Sequence, residues 1–327
     1  MTRLATTLGL FPLPDWAKTE LTTHKGKQRD DMIDGTEGPA IRSIYDEVRS
    51  ELIELQRSAG LDRIVEGQTR WDDMLAHPLA VHDAVDTAGL LRYYDNNNFY
   101  REVRVTAELT ADGDVGAELS SLADAVEVAD RHGIFPGPYS LAQLATDDYY
   151  GDEATFQAAV GEFVAAELDA FPDCTCVTLL EPSLATDPAN VDQPAMEAIE
   201  TAVEAVDDTD VIVQPYWGHP PTDVYAALRE LGCGIGFDLV TDAAGAEALI
   251  ESHGGPAAIA LGVVDGQNTR VEDPEDVASL VETFESIADP DRTYLTPNTE
   301  LFYLPTNHVE AKLEVLATAA DLTEVLQ

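Results

Sequence analysis

Short apolar runs alternate with amphipathic helical stretches along most of the chain. The apolar runs predict strands at residues 3–11, 61–66, 132–137, 176–181, 211–216, 234–240, 257–264 and 293–297. The helical stretches lie at residues 39–59, 117–131, 153–169, 193–206, 221–231, 243–252, 274–287 and 307–319. Strands that are apolar on both faces, each followed by a helix, indicate a parallel sheet covered by helices.

Four of the predicted helices begin at or next to a residue whose side chain can cap them. These residues are Asp152, Asp192, Thr222 and Asp273. A side-chain oxygen at the cap position accepts a hydrogen bond from an N–H group of the first turn, which has no partner within the helix. The caps therefore support the helix starts that the apolar pattern predicts.

The number of predicted strands favours a (β/α)8 barrel over an open, doubly wound sheet. The six runs from residue 132 onward, together with those near residues 3 and 61, give eight strands, the number that such a barrel needs, and a further strand is predicted near 89–93 or 101–105. The open sheet would place a GxGxxG turn after the first strand, and the sequence has none there. We therefore predict one barrel domain over residues 1–327, with an extended polar loop at about 17–38.

Polar residues collect where the predicted strands end, although the strands themselves are apolar. In a (β/α)8 barrel the active site lies at this end, because the eight loops that follow the strands meet there. The resulting candidates for binding a small molecule are Gln68, Arg70, Glu181, Tyr216, His219, Asp238, Asp265 and Asn268. Every barrel carries polar loops at this end, so each candidate could also be an ordinary loop residue.

Acidic residues outnumber basic residues by a wide margin. The 327 residues include 62 Asp and Glu against 18 Lys and Arg, which gives a net charge of −44. Such a chain repels nucleic acid and acidic membranes, so neither is expected as a partner. Its self-repulsion is relieved at about 1 M salt, where the screening length falls to about 3 Å. The composition therefore predicts an acidic, halophilic protein adapted to a salt-rich cytoplasm.

The location of the protein is also suggested by what the sequence lacks. No segment has the basic start, apolar stretch and cleavage site of a secretion signal, and no apolar run approaches the ~18 residues that span a membrane. The three cysteines, Cys174, Cys176 and Cys233, are an odd number and suit a reducing compartment. We expect a cytoplasmic protein whose cysteines are buried, inert thiols.

Seven segments, taken in order, carry a likeness to a known family. They are TTLGLFP (6–12), GLDRIVEGQTRWDDMLAHP (60–78), YYDNNNFYREV (93–103), GPYSLAQLA (137–145), LLEPSLATD (179–187), LGVVDGQNTRVEDPE (261–275) and LTPNTELFYLP (295–305). Together they resemble cobalamin-independent methionine synthase, which moves a methyl group from a methylated folate to homocysteine activated by zinc. The resemblance implies a (β/α)8 barrel of the methionine-synthase and uroporphyrinogen-decarboxylase type, and it adds Asn96 to the binding candidates.

The zinc donors of that family are not matched in this chain. Where the family has a His-x-Cys pair, a glutamate and a late cysteine, this sequence has Tyr216 and Gly218, Asp238 and Thr299. Zinc needs three or four His, Cys or carboxylate donors, and only Asp238, with His219 if its loop turns inward, could serve here. The resemblance is thus closest to the metal-free N-terminal barrel of the longer family members, and it implies no metal and no cofactor bound by this chain.

The resemblance implies a role in methionine biosynthesis that is shared with a partner. The family's homocysteine contacts fall on Gln68, Leu180 and Leu10, which cannot replace them, so we expect the isolated chain to be inactive as a methyltransferase. A separate zinc-bearing barrel chain would complete the reaction, with methylfolate as the possible co-substrate. The alternatives are a non-catalytic scaffold or regulator of that partner, and an unrelated barrel lyase or decarboxylase.

A basic cluster near the first strand is a candidate for binding an anionic tail. Lys18, Lys25 and Lys27 lie within ten residues in a chain that has only four lysines. Folates often carry a polyglutamate tail, whose carboxylates would pair with such a cluster. The alternative for this cluster is a solvated loop without a ligand.

The hypothesis of a barrel lyase or decarboxylase names other residues. Such an enzyme would use Asp238, Asp265 or His219 as acid or base.

Overall fold

The computed structural model describes residues 2–23, 37–92, 99–111, 114–206 and 209–322. Its strands are β1 (Thr2–Ala5), β2 (Val85–Arg92), β3 (Phe99–Val105), β4 (His132–Pro136), β5 (Ala145–Asp147), β6 (Cys176–Leu180), β7 (Asp210–Gln214), β8 (Gly234–Asp238), β9 (Ala258–Val264) and β10 (Arg292–Pro297). Seven of them form one parallel sheet in the order β1-β10-β9-β8-β7-β6-β4.

The segment at residues 61–66 closes this sheet into a ring. On one side, the backbone N–H of Asp62 donates to the carbonyl oxygen of Ala5, the last residue of β1, at 3.0 Å. On the other side, the N–H of His132 in β4 donates to the carbonyl oxygen of Ile64 at 3.1 Å. The segment therefore fills the eighth position between β1 and β4, and the (β/α)8 barrel predicted from the sequence is confirmed.

Helices follow the strands and cover the outside of the ring. They are α1 (Asp15–Leu21), α2 (Pro39–Ala59), α3 (His77–Ala80), α4 (Asp114–Ala125), α5 (Pro138–Leu144), α6 (Glu153–Asp169), α7 (Ser183–Thr186), α8 (Gln193–Val203), α9 (Thr222–Leu231), α10 (Leu239–His253), α11 (Pro274–Ala288) and α12 (Thr306–Asp321). None of these helices is long and apolar enough to cross a membrane.

Three of the four predicted caps are confirmed. The side chains of Asp152, Asp192 and Asp273 accept hydrogen bonds from N–H groups in the first turns of α6, α8 and α11. The prediction for Thr222 is wrong, because Thr222 is the first residue of α9 and Pro221 occupies the cap position. Proline is extended there and has no side-chain oxygen, so α9 begins without a side-chain cap.

The strand predicted at 89–93 or 101–105 is not part of the barrel. β2 and β3 form an antiparallel hairpin, and β5 joins β3 to make a separate three-stranded sheet. β2 is exposed along nearly its whole length, whereas every strand inside a closed barrel is covered by helices. The six barrel strands from residue 132 onward, which exclude β5, together with β1 and residues 61–66, already make up the eight.

The extended loop predicted at about 17–38 is wrong in its first part. Residues 15–21 form α1, whose Ala17 and Leu21 are buried. The Trp16 ring nitrogen donates to a carboxylate oxygen of Glu51 on α2 at 3.0 Å. An amphipathic turn that can pack against a neighbouring helix is stabilised as a helix despite its polar composition. Residues 24–36 lie outside the described part of the chain.

The interior of the barrel is apolar at its base and polar above. Side chains from five strands meet in one buried cluster, which consists of Leu4, Cys176, Ile212, Ala258, Ala260 and Tyr294. Above it, His132 bridges the ring, with Nδ1 2.8 Å from the Thr6 hydroxyl and Nε2 2.9 Å from the Thr178 hydroxyl. Burial lowers the pKa of His132 to about 3, so this imidazole is neutral.

The three cysteines lie at the opposite end of the barrel from the loops that follow the strands. Cys176 begins β6, Cys174 lies two residues before it, and Cys233 precedes β8. All three are free thiols; Cys176 and Cys233 are buried as predicted, whereas Cys174 is only partly buried. Burial raises the pKa of Cys174 to about 11 and that of Cys233 to about 12. They are therefore protonated and unreactive near neutral pH.

Candidate functional site

The carboxyl ends of the strands form a mouth in which several strand-end loops meet. The Tyr216 hydroxyl donates to Oε1 of Glu300 at 3.1 Å, which joins the loops after β7 and β10. The Tyr303 hydroxyl lies 3.6 Å from the sulfur of Met74, which joins the loop after β10 to the loop after residues 61–66. The loops after residues 61–66, β7 and β10 are therefore joined at this end of the barrel.

Asp238 lies in the mouth, but its carboxylate is committed to structure. It accepts hydrogen bonds from the N–H groups of Trp217 (2.8 Å) and Thr241 (2.9 Å), from the Thr241 hydroxyl (2.6 Å) and from the Asn298 amide (3.1 Å). Burial raises the pKa of Asp238, while these hydrogen bonds oppose the shift. Asp238 thus caps α10 and holds Trp217, whose φ of 61° is unusual for a residue other than glycine.

Glu181 is also committed to structure. Its oxygens accept hydrogen bonds from the N–H groups of Tyr139 (2.9 Å) and Ser140 (2.8 Å) and from the Ser140 hydroxyl (2.6 Å). Burial raises its pKa to about 7. The carboxyl lies where a side chain on Gly137 would stand, since an added Cβ would come within 2.2 Å of it. Glu181 therefore caps α5 from a neighbouring strand.

Gln68 and Arg70 follow residues 61–66 but face different surroundings. Gln68 has a φ of 49°, and its amide nitrogen lies 3.5 Å from the Ile134 carbonyl oxygen. Arg70 forms an ion pair with the buried carboxylate of Glu37 and lies over the ring of Tyr45, 4.8 Å from its centroid. Gln68 therefore belongs to the mouth, whereas Arg70 joins this loop to α2.

His219 is paired with a carboxylate of the next helix. Its Nε2 lies 2.8 Å from Asp242, in the first turn of α10. The imidazole packs against Gly245, where an added Cβ would come within 1.8 Å of it. The pKa of Asp242 is lowered first by the hydrogen bond from the Gly245 N–H and then by the one from His219. His219 and Asp238 thus have separate hydrogen-bond partners.

Asp265 and Asn268 line a separate cleft of about 300 Å³ together with Arg270 and Glu272. Asp265 accepts a hydrogen bond from the N–H of Gln267 at 2.9 Å, and Asn268 accepts one from the N–H of Arg270 at 3.0 Å. Both side chains therefore shape the loop after β9. The three residues named for the lyase alternative, Asp238, Asp265 and His219, occupy three different hydrogen-bonded settings.

The structure does not place Asn96 or the three lysines of the basic cluster in the mouth. Asn96, Lys25 and Lys27 lie outside the described residues. Lys18 lies on α1 with about half of its side chain exposed, and its nitrogen is 3.8 Å from the Asp15 carboxylate. The anion-binding role of this cluster stays a prediction.

The residues at the family's zinc positions do not fit a zinc ion. Tyr216 donates to Glu300, Asp238 accepts four hydrogen bonds, and the Thr299 hydroxyl lies 3.3 Å from the Glu300 carbonyl oxygen. Within the described ranges, no three His, Cys, Asp or Glu side chains are grouped so that they could share a metal. Four-coordinate zinc requires at least three such donors.

Two residues of the mouth were not among the binding candidates selected by sequence, although Glu300 follows the last predicted strand. Glu300 is buried, and burial raises its pKa to about 8, with a further contribution from Asp73. Gln214 ends β7 and is fully buried, and its amide nitrogen donates to the Pro215 carbonyl oxygen at 3.0 Å. The available signal was a polar residue at the end of an apolar run, as in VIVQPY (211–216).

Comparison with known proteins connects this geometry to one group. The family described as cobalamin-independent synthase, N-terminal domain, matches residues 82–289. The chain is 22% identical over 306 residues to a methionine synthase of Saccharolobus solfataricus, covering 90% of this chain and 86% of that one. It is 21% identical over 307 residues to a methionine synthase of Sulfurisphaera tokodaii, covering 92% and 86%.

Two solved structures share the fold. One is a B12-independent methionine synthase from Shewanella sp. W3-18-1 in complex with selenomethionine, with a TM-score of 0.81, 16% identity, and coverage of 99% of this chain and 97% of that one. The other is a putative vitamin-B12-independent methionine synthase from Listeria monocytogenes, with a TM-score of 0.69, 16% identity, and coverage of 98% and 97%. Both likenesses extend over essentially the whole barrel.

Proposed function

We propose, because this chain belongs to the family of the N-terminal domain of cobalamin-independent synthase, that it acts in methionine biosynthesis as a metal-free barrel. Its similarity to methionine synthases extends over about nine-tenths of the chain. The observation that carries the proposal is the state of Asp238, whose four hydrogen bonds leave no carboxylate oxygen for a metal. The barrel therefore keeps the shape of the family without its metal centre.

The chemistry of methyl transfer assigns the missing step to a second chain. A thiol attacks far better as a thiolate, and among the described residues no three His, Cys, Asp or Glu side chains are grouped so that they could hold a zinc ion to activate homocysteine. A separate zinc-bearing barrel would supply that activation. The share of this chain would be to bind the methylated folate in its mouth, with Lys18, Lys25 and Lys27 available to the anionic tail.

Reconstitution tests this division of labour. The chain is purified in molar KCl and assayed for methionine formation from homocysteine and 5-methyltetrahydrofolate. It is assayed alone and with a zinc-bearing barrel that keeps the His-x-Cys pair, the glutamate and the late cysteine. We expect no methionine from the isolated chain and turnover only in the mixture. Methionine produced by the isolated chain in the presence of a zinc chelator would contradict the proposal.

A scaffold function is the second candidate, and one observation favours it. The two carboxylates that look most catalytic by position, Glu181 and Asp238, are both bound to backbone N–H groups. A scaffold should bind the partner barrel yet show no saturable binding of 5-methyltetrahydrofolate by calorimetry. Saturable binding of that ligand would favour the methyl-transfer role instead.

A further inference from the structure

Three buried oxygen atoms of the mouth lack a hydrogen-bond donor. They are Oε1 of Gln68, Oε1 of Gln214 and Oε2 of Glu300. The three residues are exposed by only 5%, 0% and 1%. A buried polar atom without a partner destabilises the fold, and native proteins keep few of them. Three such atoms at the functional end of one barrel therefore call for a functional explanation.

The hydrogen-bond partners of these three side chains determine which of their atoms has no partner. Gln214 donates its amide nitrogen to the Pro215 carbonyl oxygen, and the amide nitrogen of Gln68 faces the Ile134 carbonyl oxygen. A carbonyl oxygen can only accept, so the amide nitrogens must lie on that side and the amide oxygens must face away. Oε1 of Glu300 is already taken by the Tyr216 hydroxyl. The two amide oxygens are therefore acceptors, and Oε2 of Glu300 is an acceptor when its carboxyl is ionised.

Two of these acceptors belong to neighbouring parts of the mouth, because Tyr216, two residues after Gln214, donates to Glu300. Gln214 is the last residue of β7 and points to the same face as Ile212, which belongs to the cluster inside the barrel. Gly236 leaves room for the Gln214 amide, whose oxygen lies 1.8 Å from where a Cβ would stand.

The surroundings of Glu300 are negative or neutral. The titratable groups that face it in the described chain are the carboxylate of Asp73 and the hydroxyls of Tyr216 and Tyr303, and Asp73 and Glu300 both raise the pKa of Tyr303. An anionic or purely accepting ligand group would be repelled here. A group that donates hydrogen bonds, and above all one with positive charge, would be stabilised.

We propose that Glu300 and Gln214 form a recognition point for a nitrogen group of a small ligand, either the ammonium of an amino acid or the amino-pyrimidine edge of a pterin. The ligand classes rest on the proposed function, whereas the requirement for a donor rests on the acceptors alone. Glu300 would accept from the nitrogen through Oε2, and Gln214 would accept through Oε1. The Tyr216 hydroxyl would hold the Glu300 carboxylate in position by donating to its other oxygen, Oε1.

The pH dependence of binding distinguishes a donor from an acceptor. Burial raises the pKa of Glu300 to about 8, so the free protein keeps this carboxyl protonated below that pH. A cationic group must displace the proton, so its affinity should rise as pH increases from 6 to 8 and then level off. A ligand that accepts a hydrogen bond from the neutral acid would show the opposite slope.

Calorimetry with two probes tests the proposal. L-Methionine and 5-methyltetrahydrofolate are titrated separately into the wild type, Glu300→Gln and Gln214→Leu in molar KCl. At least one probe should lose ten-fold or more in affinity in Glu300→Gln, with its rise between pH 6 and pH 8 abolished. The same probe should also bind more weakly to Gln214→Leu. The probe that is affected identifies the ligand class.

Two matched variants control for effects of folding. Gln157→Leu removes another buried amide whose atoms lack partners, and Glu167→Gln neutralises another buried glutamate, both on the outer helix α6. Both should keep the affinity of the wild type, and melting curves show whether each variant is folded. A Glu300→Gln protein that does not melt cooperatively is replaced by Glu300→Met, for which the same loss is expected.

The possible failures can be told apart. Three results would each overturn this site. The first is wild-type affinity of the Glu300 variants for both probes, and the second is no binding of either probe by the wild type. The third is an affinity of the wild type that falls between pH 6 and pH 8. If reconstitution forms methionine while the site fails, only the site is wrong. If the site behaves as expected but the mixture makes no methionine, the proposed function is wrong and the recognition point stands.

Discussion

Single side chains in the mouth show how similar residues acquire different roles. Glu181 and Glu300 both follow barrel strands and both are buried. Glu181 accepts three hydrogen bonds from the start of α5, whereas Glu300 keeps one oxygen without a donor. A carboxylate that is satisfied locally stabilises the fold, and one that is left incomplete is available to a ligand.

The replacement Asp238→Asn tests the structural role of that carboxylate. Asparagine puts an NH₂ group in place of an oxygen that accepts backbone or hydroxyl donors, so at least one buried donor loses its partner. We expect a loss of about 2 kcal/mol in the free energy of unfolding, measured by urea denaturation in molar KCl.

Asp242→Asn is the matched control for this measurement, because it lies four residues further on and its side chain is half exposed. Its pair with His219 is near the surface, and the expected loss is below about 1 kcal/mol. Similar losses for the two variants would mean that the four hydrogen bonds of Asp238 add nothing beyond those of a surface carboxylate.

The residue scale is also where reasoning from the sequence reached its limit. The position of Gln214 at the end of an apolar run is visible in the sequence, but its importance depends on Tyr216 meeting Glu300, 84 positions further on. The same limit made Asp238 and Glu181 look like free carboxylates. Their partners are backbone N–H groups of neighbouring loops, which no local pattern of residue types can reveal.

At the scale of elements, the periodicity of the sequence was a good guide where packing is regular. Helix α2 has the predicted bounds of 39–59. Helix α10 is interrupted at Asp242, where φ is −154° and ψ is 79°, and the helix predicted at 243–252 is the part that follows this kink. The first strand ends at Ala5, although the apolar run continues to residue 11. Gly9 has a φ of 98° there, and the chain leaves the sheet to enter the mouth.

Packing between two outer helices gives a prediction at this scale. Gly161 of α6 lies against Ala198 of α8, and an added Cβ would come within 2.9 Å of the Ala198 Cα. The helices must move apart to admit a methyl group, since backbone cannot yield as a flexible side chain can. We expect Gly161→Ala to lower the free energy of unfolding by about 1–3 kcal/mol, despite the better helix propensity of alanine.

Gly89→Ala is the control for that loss, because an added Cβ at Gly89 meets nothing within 4 Å. Its effect on the free energy of unfolding should stay within about 0.5 kcal/mol. Urea denaturation of both variants in the same salt makes the comparison. An unchanged or raised stability of Gly161→Ala would show that α6 and α8 can separate without loss of packing.

For the whole molecule, the number of strands was sufficient to predict the barrel, but the assignment of the strands needed the coordinates. Residues 61–66 close the ring with backbone hydrogen bonds on both sides, while β2 and β3 form a hairpin outside it. A hairpin and a barrel strand share the same local preferences. A barrel strand differs from a hairpin strand because both of its faces must be covered by other parts of the protein. Whether a strand is covered in this way depends on the assembled fold and not on its local sequence.

The net charge of −44 predicts a strong dependence of stability on salt for the whole barrel. Repulsion among the acidic groups opposes compaction at low ionic strength, and the screening length falls from about 10 Å at 0.1 M to about 3 Å at 1 M. The melting temperature should therefore rise by roughly 10 °C or more over this range. Thermal melts in KCl and NaCl measure it, and screening predicts the same curve for both salts.

A variant with less surface charge separates screening from other effects of salt. Replacing Glu251, Glu282 and Glu310, which are all exposed, by glutamine removes three negative charges without touching the core. At 0.1 M KCl this variant should have a higher melting temperature than the wild type. At 1 M KCl the two melting temperatures should be equal, because the repulsion that the substitutions relieve is already screened at that concentration. A constant difference at both concentrations would instead place the effect of the substitutions in local contacts, and the acidic surface would then have no part in the response to salt.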